Sequence, residues 1–378
     1  MTAALAHAQA LIRLPSVTPE DGGCQDWLEE KLAPLGFRRQ RVDMGGVTNS
    51  IFERPGERPG TLAFLGHTDV VPPGPAASWP HPPFAGVIED DVLHGRGAQD
   101  MKGGIACWLA AIEEAVAEGA PLPGLQVLIT SDEEGESVDG AVRIVEALAA
   151  EGRLPDAAIV GEPSSSKAVG DVIRRGRRGV VQVVATIRGR QGHSAYPDDA
   201  VNAAHLAIPA LHRALEIDWG EPAPGFPPTT CQITNIEAGT GAMNVIPGAC
   251  RVTLDIRFNP ALDFDGVETR LREAFAELPD AAVELDIQRQ ANAFVTPDGP
   301  FLDFVAAAIE RQTGLVTRRD TGGGTSDARF LAARGVPVAE LGLTNDTIHQ
   351  VGERVRVAEL ETLTGIYKDI IQGFEAQP

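Results

Sequence analysis

The sequence predicts an α/β protein whose larger domain is interrupted by a smaller α+β domain. Three observations carry this expectation. Short apolar runs alternate with segments of helical spacing across residues 61–160. The order then changes to β-α-β-β-α-β, and strand–helix alternation resumes after about residue 293.

The elements follow in chain order. The run 61–65 reads as a buried strand that ends at Gly66-His67. Residues 104–117 repeat apolar side chains at helical spacing and stop before Gly119. Residues 125–130 read as a second buried strand, 140–150 as a helix closed by Gly152, and 157–160 as a strand running into Gly161-Glu162-Pro163. Such alternation makes a largely parallel sheet covered on both faces, with ligands beyond the carboxyl ends of its strands. In the middle, 179–188 alternates as a strand and 199–215 is a helix with Asp198 as its cap. Strands 229–236 and 250–258, helix 265–277 and strand 282–288 complete the unit. This order is the ferredoxin-like one. The last part reads as helix 301–312, strand 315–319, helix 326–334, strand 336–340 and helix 357–374. The expected boundaries are therefore 1–178 and 294–378 for the discontinuous domain, and 179–293 for the insertion.

With 378 residues, two domains are the natural expectation. No apolar run is long enough to span a bilayer, and residues 1–14 lack the basic start, continuous apolar stretch and cleavage site of a signal peptide. Cys24, Cys107, Cys231 and Cys250 form no CxxC pair, which suits reduced thiols in a cytoplasm. A net charge of −21 argues against nucleic acid and anionic membranes as partners. It leaves room for an anionic small molecule at a local basic patch. Arg174, Arg175, Arg177 and Arg178 form such a patch, or else a solvated strand edge.

Five segments at strand ends or loops are rich in metal-type ligands. They are Gly66-His67-Thr68-Asp69, Gly95 to Gly103 with Asp100, Asp132-Glu133-Glu134, Gly161-Glu162-Pro163 and Thr347-Ile348-His349. Singly, each has a plainer explanation: a turn ion pair, a solvated loop or a buried histidine. Jointly, Asp100, Glu133, Glu134 and Glu162 in one cleft would repel one another without cations. Residues two apart on an extended backbone face one side, so His67 and Asp69 suit a ligand and the carboxylate that orients it. Adjacent Glu133 and Glu134 point apart, which lets one bind metal and the other face a water. Nitrogen and oxygen ligands without thiolate suit catalytic zinc.

These segments, together with Gly192-His193-Ser194-Ala195-Tyr196-Pro197, resemble the co-catalytic zinc aminoacylase and carboxypeptidase family over nearly the whole chain. The resemblance implies a zinc-hydrolase catalytic domain with an inserted lid and dimerisation domain. It also implies two Zn²⁺ per subunit, with Co²⁺ able to substitute. In that picture Asp100 bridges the metals, His67 and Glu162 complete one site, and Glu134 and His349 complete the other. Glu133 is the general base and Asp69 orients His67. The Asp100–Met101 peptide is cis. His193 reaches the partner subunit's active site in a homodimer, or alternatively stays a loop histidine.

Within the family, the likeness is to members acting on N-succinyl-L,L-2,6-diaminopimelate, a substrate with three carboxylates and one ammonium. Arg177, Arg178 and Arg257 are the carboxylate clamp it implies, or else hinge ion pairs. Tyr196, Asn244, Gly324, Thr325 and Asn345 are further binding residues. Acetylornithine-type and dipeptidase-type hydrolysis are the rival activities, and a non-catalytic binding relative is a third reading. Two departures stand out: Gln99 replaces a small residue before Asp100, and Val180-Val181 occupy a position where a serine often binds substrate.

Overall fold

The computed structural model describes residues 1–279 and 282–376. Residues 280, 281, 377 and 378, which the expected ranges 179–293 and 294–378 include, lie outside the described residues. The chain forms two compact units. One comprises Met1–Gly176, Thr296–Asp320 and Ser326–Pro378, and the other Arg177–Val295 and Thr321–Thr325. The architecture is α/β with an inserted α+β unit, as the element order implies.

The first unit is built on an eight-stranded sheet. Thr61–His67 lies between Gly124–Thr130 and Ala157–Val160 and is parallel to both, and Val338–Glu340 runs parallel to Ala157–Val160 on its far side. These four strands read Val, Leu, Ile, Ala and Phe almost continuously and are nearly all buried, as a strand covered on both faces requires. Because they are parallel, their carboxyl ends emerge on one edge. That edge delivers His67, Glu133-Glu134, Glu162 and the segment leading to His349 together.

Helices Ala3–Ile12, Lys102–Ala117 and Val357–Gly373 seal the sheet. Trp108 stacks on Phe64 at 4.8 Å between ring centroids, and Tyr367 packs edge-on against both. The Tyr367 hydroxyl donates to the Leu341 carbonyl at 2.5 Å, so its one polar atom is satisfied in the core. Each such fully buried side chain contributes about 1.5–3 kcal/mol.

The second unit is a four-stranded antiparallel sheet in the order Thr230–Ala238, Ala249–Phe258, Gly179–Arg188, Val283–Ala291. This is the ferredoxin-like arrangement. Alternate residues Val181, Val183, Ala185 and Ile187 join Val252, Leu254 and Ile256 under helices Ala203–Leu215 and Phe264–Phe275.

Several boundaries differ from the expectation. The helix expected over 199–215 begins at Ala203, and its cap is Asn202, not Asp198. The Asn202 side chain accepts from the Ala204 and His205 amides. Residues Pro197–Asp199 form a separate 3₁₀ turn, because an antiparallel bridge between Arg190 and Val201 holds the intervening backbone extended. The strand expected over 315–319 is only Arg318–Asp320, and the helix expected over 326–334 is only Ala328–Ala332. Antiparallel strands Arg38–Arg41 and Asn49–Arg54, and the hairpin Val87–Glu89 with Val92–His94, carry too little periodicity to be read from sequence.

Candidate active site

At the carboxyl edge of the parallel strands, two ligand groups share one residue. His67, Asp100 and Glu162 form the first, and Asp100, Glu134 and His349 the second. Within each group the donor atoms lie within 4.8 Å of one another. The sharing is by separate oxygens. Asp100 Oδ1 is 3.3 Å from His67 Nε2, which is also 3.5 Å from Glu162 Oε1. Asp100 Oδ2 is 3.4 Å from His349 Nε2, which lies 2.9 Å from Glu134 Oε1. The Asp100–Met101 peptide is cis, as the resemblance implies. His349 adopts a left-handed backbone (φ 59°), a conformation that concentrates at functional positions in residues other than glycine.

The residues fit a pair of dications. His67 Nε2 and Asp100 Oδ1 are buried and, among the described residues, have no hydrogen-bond partner. A buried polar atom without a partner costs about 1–3 kcal/mol, so atoms left this way beside other ligand atoms mark a place for a cation. The electrostatics agree. Burial, then the charge of Glu162, pushes Glu133 well above the usual carboxylate range. Burial and Asp100 push Glu162 up to about 7. Asp100 is held low: burial alone would raise it, but His349 and His67 outweigh burial. Contacts with Asp100 and Glu134 raise His349 to about 10. Carboxylates this crowded call for positive charge in their midst.

Asp69 lies beside His67, where the sequence reading expects it, and it also reaches the paired glutamates. His67 Nδ1 is 2.9 Å from the Asp69 backbone carbonyl and 3.6 Å from its carboxylate. Asp69 thus orients the ring through its main chain. Its carboxylate also accepts the amide N–H groups of Glu133 (3.3 Å) and Glu134 (3.1 Å). One buried acid therefore fixes both the histidine and the loop of paired glutamates.

Residues 63–373 match the model of Peptidase family M20/M25/M40. The chain belongs to this family. Its members are metal-dependent hydrolases. The chain is 46% identical over 373 residues to a protein of Halorhodospira halophila named succinyl-diaminopimelate desuccinylase, covering 98% of each. It is also 46% identical to the protein of that name from Alkalilimnicola ehrlichii, over 98% of this chain and 99% of the relative. In fold it is similar to an M20 family metallo-carboxypeptidase of Sulfolobus solfataricus. There the TM-score is 0.82 at 16% identity, over 98% of this chain and 99% of that one.

Two residues to which the sequence reading gave no role, Glu353 and Gln99, make hydrogen bonds that hold this M20 site in shape. Glu353 is fully buried. Its Oε1 accepts the amides of Gln99 (2.9 Å) and Asp100 (3.1 Å), and its Oε2 accepts the Gly97 amide (3.0 Å) and Arg96 Nη1 (2.7 Å). The segment Gly352-Glu353-Arg354 looks like a solvated turn, and only its place four residues after His349 hints otherwise.

Gln99, noted above as a departure, is the second. Its Oε1 accepts from Thr347 N (2.9 Å) and Oγ1 (2.6 Å), and its Nε2 donates to Thr344 Oγ1 (2.9 Å) and Asp346 Oδ1 (2.7 Å). It therefore joins the Asp100 loop to the His349 loop. Gln99→Ala leaves the buried Thr347 amide without a partner. Stability falls by about 1–3 kcal/mol in urea unfolding, and metal affinity falls at the His349 position. Unchanged values for both would show that the bridge contributes nothing.

The remaining expected residues divide between the units. Asn345 is part of the first unit, in the loop before His349. Arg174 and Arg175 of the basic patch are engaged there by Asp320 (3.1 Å) and Asp298 (3.0 Å). The second unit carries Arg177, Arg178, His193, Tyr196, Asn244, Arg257, Gly324 and Thr325. Arg177 is buried and donates to the Gly322 carbonyl at 2.7 Å. Arg257 pairs with Asp255 at 2.8 Å, the ion-pair alternative raised above. Burial, then the charge of Arg257, lowers the Arg178 pKa, and Arg178 Nε has no partner among the described residues. Val180 lies opposite Arg257 across the strand pair and offers it no hydrogen bond. His193 is exposed. Its Nδ1 accepts from the Ala195 amide at 3.1 Å, the Asn244 amide lies 3.5 Å from its Nε2, and the Tyr196 ring is 5.6 Å away.

Proposed function

We propose that this chain hydrolyses the amide of N-succinyl-L,L-2,6-diaminopimelate to succinate and L,L-2,6-diaminopimelate, using two Zn²⁺ ions for which Co²⁺ substitutes. Asp100 carries the proposal, since each of its two oxygens belongs to a different three-residue ligand group. The names of the two bacterial relatives and their coverage of nearly the whole chain support the substrate. Four buried, unpaired cysteines suit a reducing cytoplasm. Residues 179–293 form the inserted domain of a homodimer.

His67, Asp100 and Glu162 would hold one ion, and Asp100, Glu134 and His349 the other. When bound, the ions supply Lewis acidity to the scissile carbonyl and to the attacking water. Glu133 takes the proton from that water as it attacks, then delivers it to the leaving amine nitrogen. Asp69 keeps Glu133 and Glu134 in place through their amides. His193 of the partner subunit donates from Nε2 to the carbonyl oxygen as it gains charge. With Nδ1 accepting the Ala195 amide, the neutral ring carries its proton on Nε2, the tautomer this role needs. Arg177, Arg178 and Arg257 hold substrate carboxylates. Tyr196, Asn244, Gly324, Thr325 and Asn345 line the rest of the substrate.

The test is a panel assay of metal-loaded enzyme. The expected kcat/KM for the succinyl substrate exceeds that for acetylornithine or a dipeptide by at least about 10²-fold, because a charged clamp discriminates strongly against substrates that leave it unpaired. Chelation abolishes turnover and added Zn²⁺ or Co²⁺ restores it. Comparable rates on acetylornithine or a dipeptide would move the assignment to that substrate.

A further inference from the structure

A third group of ligand-type side chains lies outside the residues used above. His81, Glu89 and His94 bring one donor atom each to within 4.8 Å of one another. His81 Nε2 is 3.2 Å from Glu89 Oε2, and the two imidazole rings are 4.6 Å apart between centroids.

The local fold explains the convergence. Val87–Glu89 and Val92–His94 form an antiparallel hairpin in which Val87 faces His94 and Glu89 faces Val92. Directly opposed residues share a face, as do residues two apart, so Glu89 and His94 project from the same side. Asp90 and Asp91 make the turn with left-handed backbones (φ 49° and 59°), which fixes the register. His81 comes from the preceding loop. That loop is pinned where the Arg96 amide donates to the Pro83 carbonyl at 2.8 Å and the Ala85 amide to Pro82 at 3.0 Å. Trp79, buried just before it, donates from its indole to Pro73 at 2.8 Å. Two imidazoles and a carboxylate are therefore held together by rigid backbone rather than by chance contact of long side chains.

We infer that His81, Glu89 and His94 form an accessory site for a transition-metal dication, separate from the pair proposed at Asp100. Two histidines and one glutamate are a ligand set that zinc, cobalt and nickel accept, with positions left open to solvent. The His81 and Glu89 side chains are 24% and 62% exposed, so an ion can enter. Burial, with His81 and Arg354 nearby, lowers the His94 pKa, which favours the neutral imidazole a metal needs. Arg354 faces His94 across the adjoining strand and opposes a cation, so this site is the weaker one. His94 stands just before Gly95–Gly103, but none of the three ligand-type side chains belongs to the Asp100 groups.

The experiment compares full-length wild type with His81→Ala/His94→Ala after equilibrium dialysis against micromolar Zn²⁺ or Co²⁺, with metal counted by elemental analysis. Wild type binds one equivalent more per chain than the variant, and hydrolysis is the same in both. Glu89→Gln, at an exposed position that tolerates change, gives the same deficit at lower metal concentration. Equal equivalents in wild type and both variants overturn the site. The difference between proteins is the readout, so it stands apart from how many ions the Asp100 pair holds.

Discussion

Glu133→Gln is expected to keep both metal equivalents and lose about 10²–10⁴-fold in kcat, the range attributed to a general acid–base group. The reason is a division of labour between adjacent glutamates. Glu134 points at His349, 2.9 Å away, and belongs to a ligand group. Glu133 belongs to neither group, yet it is half-buried beside them, and the charges of Glu162 and His67 act on it. Glutamine keeps the shape and the amide that Asp69 holds, but it cannot take a proton from water. KM should change little, since no carboxylate-binding group is touched. Glu134→Gln is the contrasting variant, and its first defect is metal loss. Metal content by elemental analysis and turnover on the succinyl substrate separate the two. A Glu133→Gln enzyme with near-normal kcat would remove Glu133 from the chemistry.

The contrast between these neighbours shows which parts of the site were legible in the sequence. The strands Thr61–His67, Gly124–Thr130 and Ala157–Val160 announce themselves by continuous apolar runs, and the parallel order follows from strand–helix alternation. That alone places His67, Glu133, Glu134 and Glu162 at one edge. The convergence of the candidate ligand residues was readable because carboxylates and histidines at strand ends have few structural reasons to cluster. What supports them was not readable. Glu353 and Gln99 act by accepting and donating hydrogen bonds across more than two hundred positions of sequence, and hydrophobic periodicity carries no trace of such contacts. Spacing pairs Asp69 with His67, but it carries no sign that the Asp69 carboxylate also accepts the Glu133 and Glu134 amides, because the loop that closes over it comes 64 residues later. The helix cap was misplaced for a similar reason: the bridge between Arg190 and Val201 is non-local, and local capping signals at Asp198 cannot report it.

Glu353→Ala is expected to lower unfolding free energy by about 3–5 kcal/mol, the usual cost of stripping one partner from a buried charge pair. Three backbone amides and the Arg96 guanidinium converge on this one carboxylate, and Arg96 is itself buried. Alanine leaves a buried cation and three donors facing no acceptor. Domains of ordinary stability have only about 5–15 kcal/mol in total, so the loss is a large fraction of what holds the fold. The effect reaches the metals because two of those amides are Gln99 and Asp100 themselves. Once released, the loop no longer presents both Asp100 oxygens to their histidines, and metal affinity falls with stability. Glu353→Gln separates the two consequences. It keeps volume and one acceptor oxygen but sets an NH₂ group against N–H donors, so it should fold yet hold metal more weakly than wild type. Urea unfolding combined with metal titration of both variants checks this. If Glu353→Gln bound metal as tightly as wild type, the carboxylate would be a structural clamp for Arg96 alone, with no part in positioning Asp100.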